Sequence, residues 1–466
     1  MAVAKALALA IFCAAVLVSD AGPGGSLMRR DRQKKHTSAV QSAVEHVLAG
    51  APVDRLLSVE ASVRPAFEAF PKNSVGHIPM EEIFPAIVRN YFAKEHGWLI
   101  KGLEPPSPTR NTMRVSNVSI IVAQAPALAA ALEDLYQSDR GLALSDVVGA
   151  IAALEDLIIE ESARLLNDCY FLNGITPDEP VTESMLHELL RSYLLIFRWG
   201  APANLTDVKG HKAMKMNAAN ASDWGALVQF ERDTIQASGL EPEDGLYSPM
   251  IVGEILREML QKYGKWQNRE CIDMKSTLVG LTDPLGSGLV PWERFHAEPD
   301  HGAFQFTESL DYLRQIGVLE ERDEINSSQV RIANYLLGPS NCIAPSTYYT
   351  VCCLSECESL ISDVETATQS PVSTPEQLIG VVEGTASSTV EAGRKLPEAV
   401  VNNLRGVAEH YEGLVPLHSA DFKKWLYAAF PNECPFPTAS EMAAEESELK
   451  VASEWLEHQA ECTRIP

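Results

Sequence analysis

Apolar residues recur every three or four positions along most of this chain, which is the spacing of an amphipathic α-helix. The pattern is clearest in "SAVQSAVEHVLAGAPVDRLLSV", "DVVGAIAALEDLIIEESARLL", "SMLHELLRSYLLIF" and "MIVGEILREMLQKYGKW". The strict alternation that is typical of β-strands is scarce. The sequence therefore predicts a mainly α fold with short connecting loops.

Three stretches share a glycine, one residue, a β-branched residue and a proline: "NSVGHIPMEEIF", "PLGSGLVPWERF" and "YEGLVPLHSADF". Glycine permits the positive φ of a sharp turn. The β-branched residue favours an extended backbone. Proline fits the first turn of a following helix, where no N–H is needed. Each stretch therefore predicts a helix, a tight loop, one β contact and a second helix.

That layout matches an EF-hand, whose 12-residue calcium loop has glycine at position 6 and acidic or carbonyl ligands around it. With Gly76 at position 6, Asn73 takes position 3 and Glu82 takes position 12, while His77 offers its backbone carbonyl at position 7. These oxygens are the candidate calcium ligands of the first loop. Their small number predicts weak binding.

In the second loop, Gly288 takes position 6 and Asp283 takes position 1. Ser287 is at position 5, and Leu289 offers its backbone carbonyl at position 7. Position 12 holds Arg294, a cation where the bidentate glutamate should be, which disfavours calcium. The third loop, around Gly413, is the most degenerate and offers His410 at position 3, Glu412 at position 5 and Ser419 at position 12. We therefore expect the loops to keep the EF-hand shape and to have lost the metal.

Two further segments read as helix-loop-helix without the glycine-proline signature. One contains Gly141 with a helix cap predicted at Ser145, and the other contains Val181 with a cap at Thr182. We therefore predict paired EF-hand-like helix-loop-helix units with a disulfide-stapled helical C-terminal module. The predicted segments are a signal peptide (1–21), a basic exposed tail (22–36), a first EF-hand-like unit (37–103), a linker (104–114), a second helix-loop-helix pair (115–199), an exposed glycan-bearing loop (200–222), a third EF-hand-like unit (223–340) and a Cys-rich C-terminal module (341–466). Inside that module, the stretch 362–377 is rich in Ser, Thr and Pro and predicts a linker or large loop.

The N-terminus carries the features of a secretory signal: Lys5, then an apolar run from Ala6 to Val18, then small residues. A membrane anchor is the alternative, but the apolar run falls short of the roughly 20 residues that cross a bilayer. We expect the chain to enter the secretory pathway and to have no membrane span. The basic run "RRDRQKKH" that follows is either a solvated tail or a dibasic processing site.

Eight cysteines remain beyond the signal segment, and an even number in an oxidising compartment favours disulfides. The candidates are Cys169, Cys271, Cys342, Cys352, Cys353, Cys357, Cys434 and Cys462. Cys169 and Cys271 stand apart from the other six and could pair with each other or be small buried hydrophobes. Zinc is disfavoured because no CxxC pair occurs.

Four Asn-x-Ser/Thr sequons are candidate glycosylation sites: Asn117, Asn204, Asn220 and Asn326. The formal net charge of -25 repels phosphate backbones and anionic lipid. We therefore expect a protein partner and no nucleic acid.

Enzyme signatures such as GxSxG, HExxH, GxGxxG and the Walker loop do not occur in the sequence. "HELLRS" at His187 lacks a second histidine. "FHAEPDH", starting at Phe295, has a spacing that does not fit one helix face, so a solvated loop is the better interpretation. Cys342 in "PSNC" is expected in a disulfide and not as a nucleophile.

"RPAFEAFPKNSVGHIPMEEIFPAIVRNYFAKEHGWLIKGLEP", "YLLGPSNCIAPSTYYTVCCLSECESL" and "VPLHSADFKKWLYAAFPNECPFP" resemble a family of secreted proteins from dinoflagellate algae. The resemblance covers the chain from about Pro65 to Pro437. It implies divergent EF-hand repeats, a Cys-rich C-terminal module and export. The family brings no established activity with it.

Together these features predict an exported, non-catalytic EF-hand-like protein that binds calcium weakly and acts as an interaction module. The alternative is a structural or adhesive secreted glycoprotein without metal binding. An unrecognised hydrolase ranks third.

Overall fold

A computed structural model describes residues 42–44, 47–48, 53–80, 83–104, 118–138, 140–200, 204–221, 223–282, 286–297, 304–322, 327–438 and 441–442. The predicted signal peptide and basic tail lie outside these residues. So do five residues named above: Glu82, Asn117, Asp283, Asn326 and Cys462.

The structure is mainly helical, as predicted. Its helices are α1 Val53–Ala69, α2 Ile83–Glu95, α3 Ser119–Gln124, α4 Pro126–Gln137, α5 Leu144–Ala163, α6 Leu165–Asn173, α7 Glu183–Trp199, α8 Val208–Ala218, α9 Trp224–Ser238, α10 Pro249–Gly280, α11 Trp292–Phe295, α12 Leu310–Gln315, α13 Ile332–Leu336, α14 Glu356–Thr368, α15 Pro375–Gly384, α16 Glu398–His410 and α17 Ala420–Ala429. None of the described helices is long and apolar enough to cross a membrane.

The strands are short. They are β1 Trp98–Ile100, β2 Val181–Thr182, β3 Leu246–Tyr247, β4 Leu289–Pro291, β5 Leu319–Arg322, β6 Ser327–Arg331, β7 Tyr349–Val351, β8 Val372–Ser373 and β9 Val415–Pro416. They form one three-stranded antiparallel sheet, in the order β4-β6-β5, and three two-stranded pairs, β1-β7, β2-β3 and β8-β9.

Serine and threonine caps fix where many helices begin. The Thr182 hydroxyl accepts a hydrogen bond from the N–H of Met185 at 3.4 Å, which confirms the cap predicted there. Ser248 and Thr374 do the same for α10 and α15, and each is followed by a proline at the first helical position. The cap predicted at Ser145 is wrong: α5 begins after Ala143.

Short antiparallel contacts join the loops of neighbouring helix-loop-helix segments, and this happens four times. The paired residues are Ile78 and Leu142 between α1-α2 and α4-α5, Val181 and Tyr247 between α6-α7 and α9-α10, Val290 and Val330 between α10-α11 and α12-α13, and Ser373 and Val415 between α14-α15 and α16-α17. Such loop pairs thus connect most of the described helices.

Three hydrophobic clusters form the core. The largest extends from α1 to the first half of α10 and includes Tyr349 and Val351 of β7. A second, smaller cluster surrounds Phe295 and Val330. The third fills the C-terminal helices around Trp425. The clusters do not follow the predicted segment boundaries, because β7 of the Cys-rich module pairs with β1 of the first unit.

Within the part of the chain that the structure describes, three disulfides connect Cys271 with Cys353, Cys342 with Cys352, and Cys357 with Cys434. The suggested pair of Cys169 and Cys271 is therefore wrong. Cys169 is a buried free thiol, which agrees with the alternative prediction of a small buried hydrophobic residue. Burial raises the pKa of this thiol. The first disulfide ties α10 to the C-terminal module across 82 residues of sequence.

Two segments predicted as loops contain helices. Residues 200–222 are largely exposed, as expected, but α8 lies within them. The prediction of a linker or large loop at the Ser, Thr and Pro-rich stretch 362–377 is wrong, because most of this stretch is helical. Its first part belongs to α14, and Thr374 caps α15.

Candidate functional site

The first candidate calcium loop is closed by its own hydrogen bonds. The Asn73 side-chain oxygen accepts the N–H groups of Val75 at 3.1 Å and His77 at 3.0 Å. The His77 carbonyl, a predicted metal ligand, accepts the N–H of Asn73 at 3.0 Å. Of the three predicted ligands of this loop, the two that the structure describes therefore already accept hydrogen bonds from protein donors. Gly76 has a φ of +80°, which fits the turn predicted for it.

His77 also connects this loop to its partner loop. Its Nδ1 lies 3.3 Å from the Arg140 carbonyl oxygen, next to the paired residues Ile78 and Leu142. Burial lowers the pKa of His77, although the Arg140 carbonyl opposes that change. His77 therefore acts as a neutral hydrogen-bonding group between two loops.

The partner loop contains an acidic residue that the sequence interpretation missed. Asp146 is 9 % exposed, and its Oδ2 accepts the N–H of Ala143 at 3.0 Å. If Leu142 takes position 8 of a loop, Asp146 takes position 12. Burial raises its pKa, while the hydrogen bond from Ala143 and the charge of Arg140 oppose that increase. An acid three residues after a helix start is a capping signal that could have identified it.

In the second candidate loop, Leu289 is 5 % exposed and belongs to β4, where it pairs with Arg331. Ser287 lies just before it, outside the strand. Arg294, the residue at position 12, donates through Nη1 to the carbonyl oxygens of Thr282 at 3.1 Å and Leu281 at 3.4 Å. This guanidinium therefore binds carbonyl oxygens near the end of α10.

Gly288 is required here for two reasons. Its φ is +72°, and a Cβ at this position would lie 2.4 Å from the Pro431 carbonyl oxygen. The turn is thus both left-handed and packed against the C-terminal module.

Within the described residues, no group of three or more His, Cys, Asp or Glu side chains could hold a metal ion. Of the candidate ligands, Asn73 and His77 lie together in one loop, and Ser287 and Leu289 lie in another. Glu82 and Asp283 lie outside the described residues.

Two buried glutamates next to the largest hydrophobic cluster each bind one histidine and one arginine side chain. Glu155 of α5 is 2 % exposed, and it accepts the Arg55 Nε at 2.7 Å and contacts the His96 Nε2 at 2.5 Å. The His96 ring stacks on Trp98 with centroids 4.2 Å apart. A Cβ on Gly264 would lie 2.1 Å from the His96 carbonyl, so α10 packs directly on this turn.

Glu231 of α9 is fully buried and forms the second such group. It pairs with His187, and it accepts the Arg191 Nε at 3.2 Å. His187, considered above for its "HELLRS" context, is thus bonded to a neighbouring helix. In "FHAEPDH", residues 298–301 lie outside the described residues, and the ring of His296 lies 5.0 Å from that of Trp292.

The described residues enclose two clefts of different size. One, of about 250 Å³, lies where α10, α13 and α14 meet residues 432–433, and it is lined by Lys275 and Glu433. There Lys275 donates to Glu356 at 2.7 Å and Glu433 at 2.9 Å, so its charge is matched. The other, of about 680 Å³, lies between α7, α8 and α9.

No protein-family model matches this chain, and neither the curated proteins nor the solved structures provide a significant match. The resemblance to secreted dinoflagellate proteins therefore stays a prediction.

Proposed function

We propose that this chain is a non-catalytic EF-hand-like scaffold, exported from the cell, whose loops hold their shape without calcium and whose helices serve protein interactions. The observation that carries the proposal is the fourfold pairing of loops between helix-loop-helix segments. One β contact between two loops, with a helix starting soon afterwards, is the geometry expected of EF-hand-like pairs.

The loops supply internal substitutes for a metal. Asn73 binds backbone N–H groups of its own loop. Arg294 brings a positive charge to the carbonyl oxygens of Leu281 and Thr282. Because Arg294 is exposed, solvent screening leaves each of its bonds worth less than the about 1.5–3 kcal/mol of a hydrogen bond to a charged group. A loop stabilised in this way has little need of a cation to fold.

An interaction role is supported by large apolar side chains left on the surface of α6, α7 and α8. Phe171 is 60 % exposed, Trp199 is 65 % exposed and Met216 is 66 % exposed. Apolar residues of this size at the surface are common in binding faces. The three disulfides suit export, since such bonds persist in oxidising compartments.

Thermal unfolding with and without calcium tests the scaffold proposal. We expect the unfolding midpoint in EDTA and in about 0.1 mM calcium to agree within about 1 °C. A loop of micromolar affinity would instead stabilise the fold by about 2.7 kcal/mol at a hundredfold excess over its dissociation constant. A clear rise in the midpoint would refute metal independence.

Weak binding at the first loop is tested separately by isothermal titration at millimolar calcium. We expect a small heat in the native chain that is absent from Glu82→Gln, since position 12 normally contributes two ligand oxygens. Persistence of the heat in the variant would remove this loop as the site. Absence of heat from both chains would favour the structural glycoprotein without metal.

A further inference from the structure

The cleft of about 680 Å³ between α7, α8 and α9 has the size of a small-molecule site. Ligand pockets typically range from about 300 to 1,000 Å³. The cleft lies inside one pair of helix-loop-helix segments, and α8 forms its cover. Of the residues of α8, His211 is the buried one. α8 contacts α6 and α7 through the bonds of Lys215 to Asn173 and Glu188 and of His211 to Ser192.

The lining is apolar at the bottom and aromatic near the surface. Its floor consists of four buried side chains, Leu172, Leu195, Ile196 and Leu227. The half-buried Met214 and Trp224 form walls. Trp199 stands at the rim with 65 % of its surface exposed. Such a lining favours a largely apolar occupant that can contact indole rings.

The charged side chains of the cleft already form hydrogen bonds within the protein. Arg198 donates to Asp223 at 2.5 Å, and Asp207 accepts the N–H of Gly210 at 2.9 Å at the start of α8. His211 contacts the Ser192 hydroxyl at 3.0 Å, and burial lowers its pKa, so it is neutral at pH 7. An anionic ligand would lose its hydration here without gaining a counter-ion, because Arg198 in the lining is already paired with Asp223.

We propose that this cleft binds an uncharged, largely apolar small molecule with a flat ring system, held between α7, α8 and α9. The floor takes the ring system, and Trp199 and Trp224 contact its faces or edges. The exposed amide of Asn217 at the cleft can bond one polar substituent. The site is independent of the proposed EF-hand-like role, because none of the four loop contacts involves these residues.

Fluorescence titration of the full chain with Nile red, an uncharged planar dye, tests this proposal. We expect saturable binding at one site with enhanced emission. Ala213→Trp fills the cleft from an exposed position on α8 and should weaken binding by about tenfold, or about 1.4 kcal/mol. Ala226→Trp is the matched control: it is exposed on α9 but does not line the cleft, and it should bind like the native chain.

Two further measurements separate site binding from general dye adsorption. Trp199→Ala removes an exposed side chain, so it should fold normally while weakening Nile red binding several-fold. The anionic dye 1-anilinonaphthalene-8-sulfonate should bind more weakly than Nile red. The proposal is overturned if Nile red does not bind, if Ala213→Trp and Ala226→Trp behave alike, or if the anionic dye binds as tightly with the same response to Ala213→Trp.

Discussion

Two buried glutamates at opposite ends of α1 show how neighbours decide the charge of a group. Glu155 lies near Arg55 at the beginning of α1, and Glu365 lies near Phe70, just after its end. They are 2 % and 4 % exposed. Burial disfavours the charged form of both carboxyls and so acts to raise both pKa values. The two pKa values nevertheless move in opposite directions.

At Glu155, burial acts to raise the pKa, but hydrogen bonds from His96 and Arg55 outweigh it and leave the pKa below its ordinary value. At Glu365, burial raises the pKa to about 8, and the nearby charge of Glu358 adds to the rise. Lys94 opposes it only partly. Direct contact with the His96 imidazole and the Arg55 guanidinium together therefore reverses the effect of burial, while a more distant ammonium does not.

The partner of Glu365 is itself held neutral. His418 lies with its Nε2 3.5 Å from Glu365 and stacks on Phe70 with centroids 3.8 Å apart. Burial lowers the pKa of His418 to about 3, and Lys423 contributes. Across mid-range pH the two groups together hold one proton. The first region is thus a fixed ion pair, and the second is a contact between a protonated carboxyl on α14 and a neutral imidazole in the loop before α17, whose Nε2 has no hydrogen-bond partner among the described residues.

The largest effect should come from breaking the ion pair. Arg55→Met leaves Glu155 buried without its guanidinium, and removing one partner of a buried pair costs about 3–5 kcal/mol. We expect a loss of about 3 kcal/mol in the free energy of unfolding at pH 7, measured by urea titration. The expected loss lies at the lower end of that range because the Arg55 side chain is 29 % exposed and His96 still contacts Glu155 in the variant.

The double variant Arg55→Met/Glu155→Gln is the control for that measurement. It removes the stranded charge, so it should recover part of the lost stability. Equal stability of the native chain and Arg55→Met would mean that the pair does not hold this region together.

A smaller, pH-dependent effect should come from the second region. A carboxyl whose pKa rises on folding stabilises the fold fully below its unfolded pKa of 4.5, and that stability is lost as pH rises towards about 8. A histidine whose pKa falls on folding loses stability as pH drops from 6.5 towards about 3. The two slopes cancel between about pH 4.5 and 6.5, so this contact is most stabilising there.

Glu365→Gln should remove the alkaline part of that dependence. Between pH 6.5 and 8 the native chain should lose about 2 kcal/mol more than the variant, since each pH unit is worth 1.36 kcal/mol for one proton. The charged groups around the pair, Glu358, Lys94 and Lys423, are present in both chains. Parallel stability curves for the two chains over this range would contradict the assignment.

The smallest effect should come from Phe70→Leu, which removes the ring stacked on His418 but changes no titrating group. We expect a loss of about 1 kcal/mol, the size of one aromatic contact. The loss should be equal at pH 5.5 and pH 8 in thermal or urea unfolding. A loss confined to one pH would show that Phe70 also controls the protonation of His418.

The sequence predicted the local geometry of the loops well. Gly76, Gly288 and Gly413 all have positive φ, and the residues two positions later make β contacts in each case. These features depend on a few neighbouring residues, so they can be read locally. The loop around Gly245 and Tyr247 was missed because its proline comes one residue later, at Pro249.

Other predictions were wrong where contacts with residues distant in the sequence determine the local structure. Composition suggested a linker at 362–377, but packing of Val364 into the C-terminal core holds most of it in helices. Cys271 pairs with Cys353 because α10 passes beside the C-terminal module, which no spacing reveals. The acids Glu155 and Glu231 looked like ordinary polar positions on amphipathic helices.

The sequence by itself determined the helical class, the turn geometry and a loop set poor in calcium ligands, because periodicity, φ preference and side-chain chemistry are local properties. The tertiary structure decided which loops pair, which cysteines bond, and whether a buried glutamate is charged. Each of those outcomes depends on atoms brought within a few ångströms from distant places in the sequence, as with Arg55 and Glu155, which are 100 residues apart.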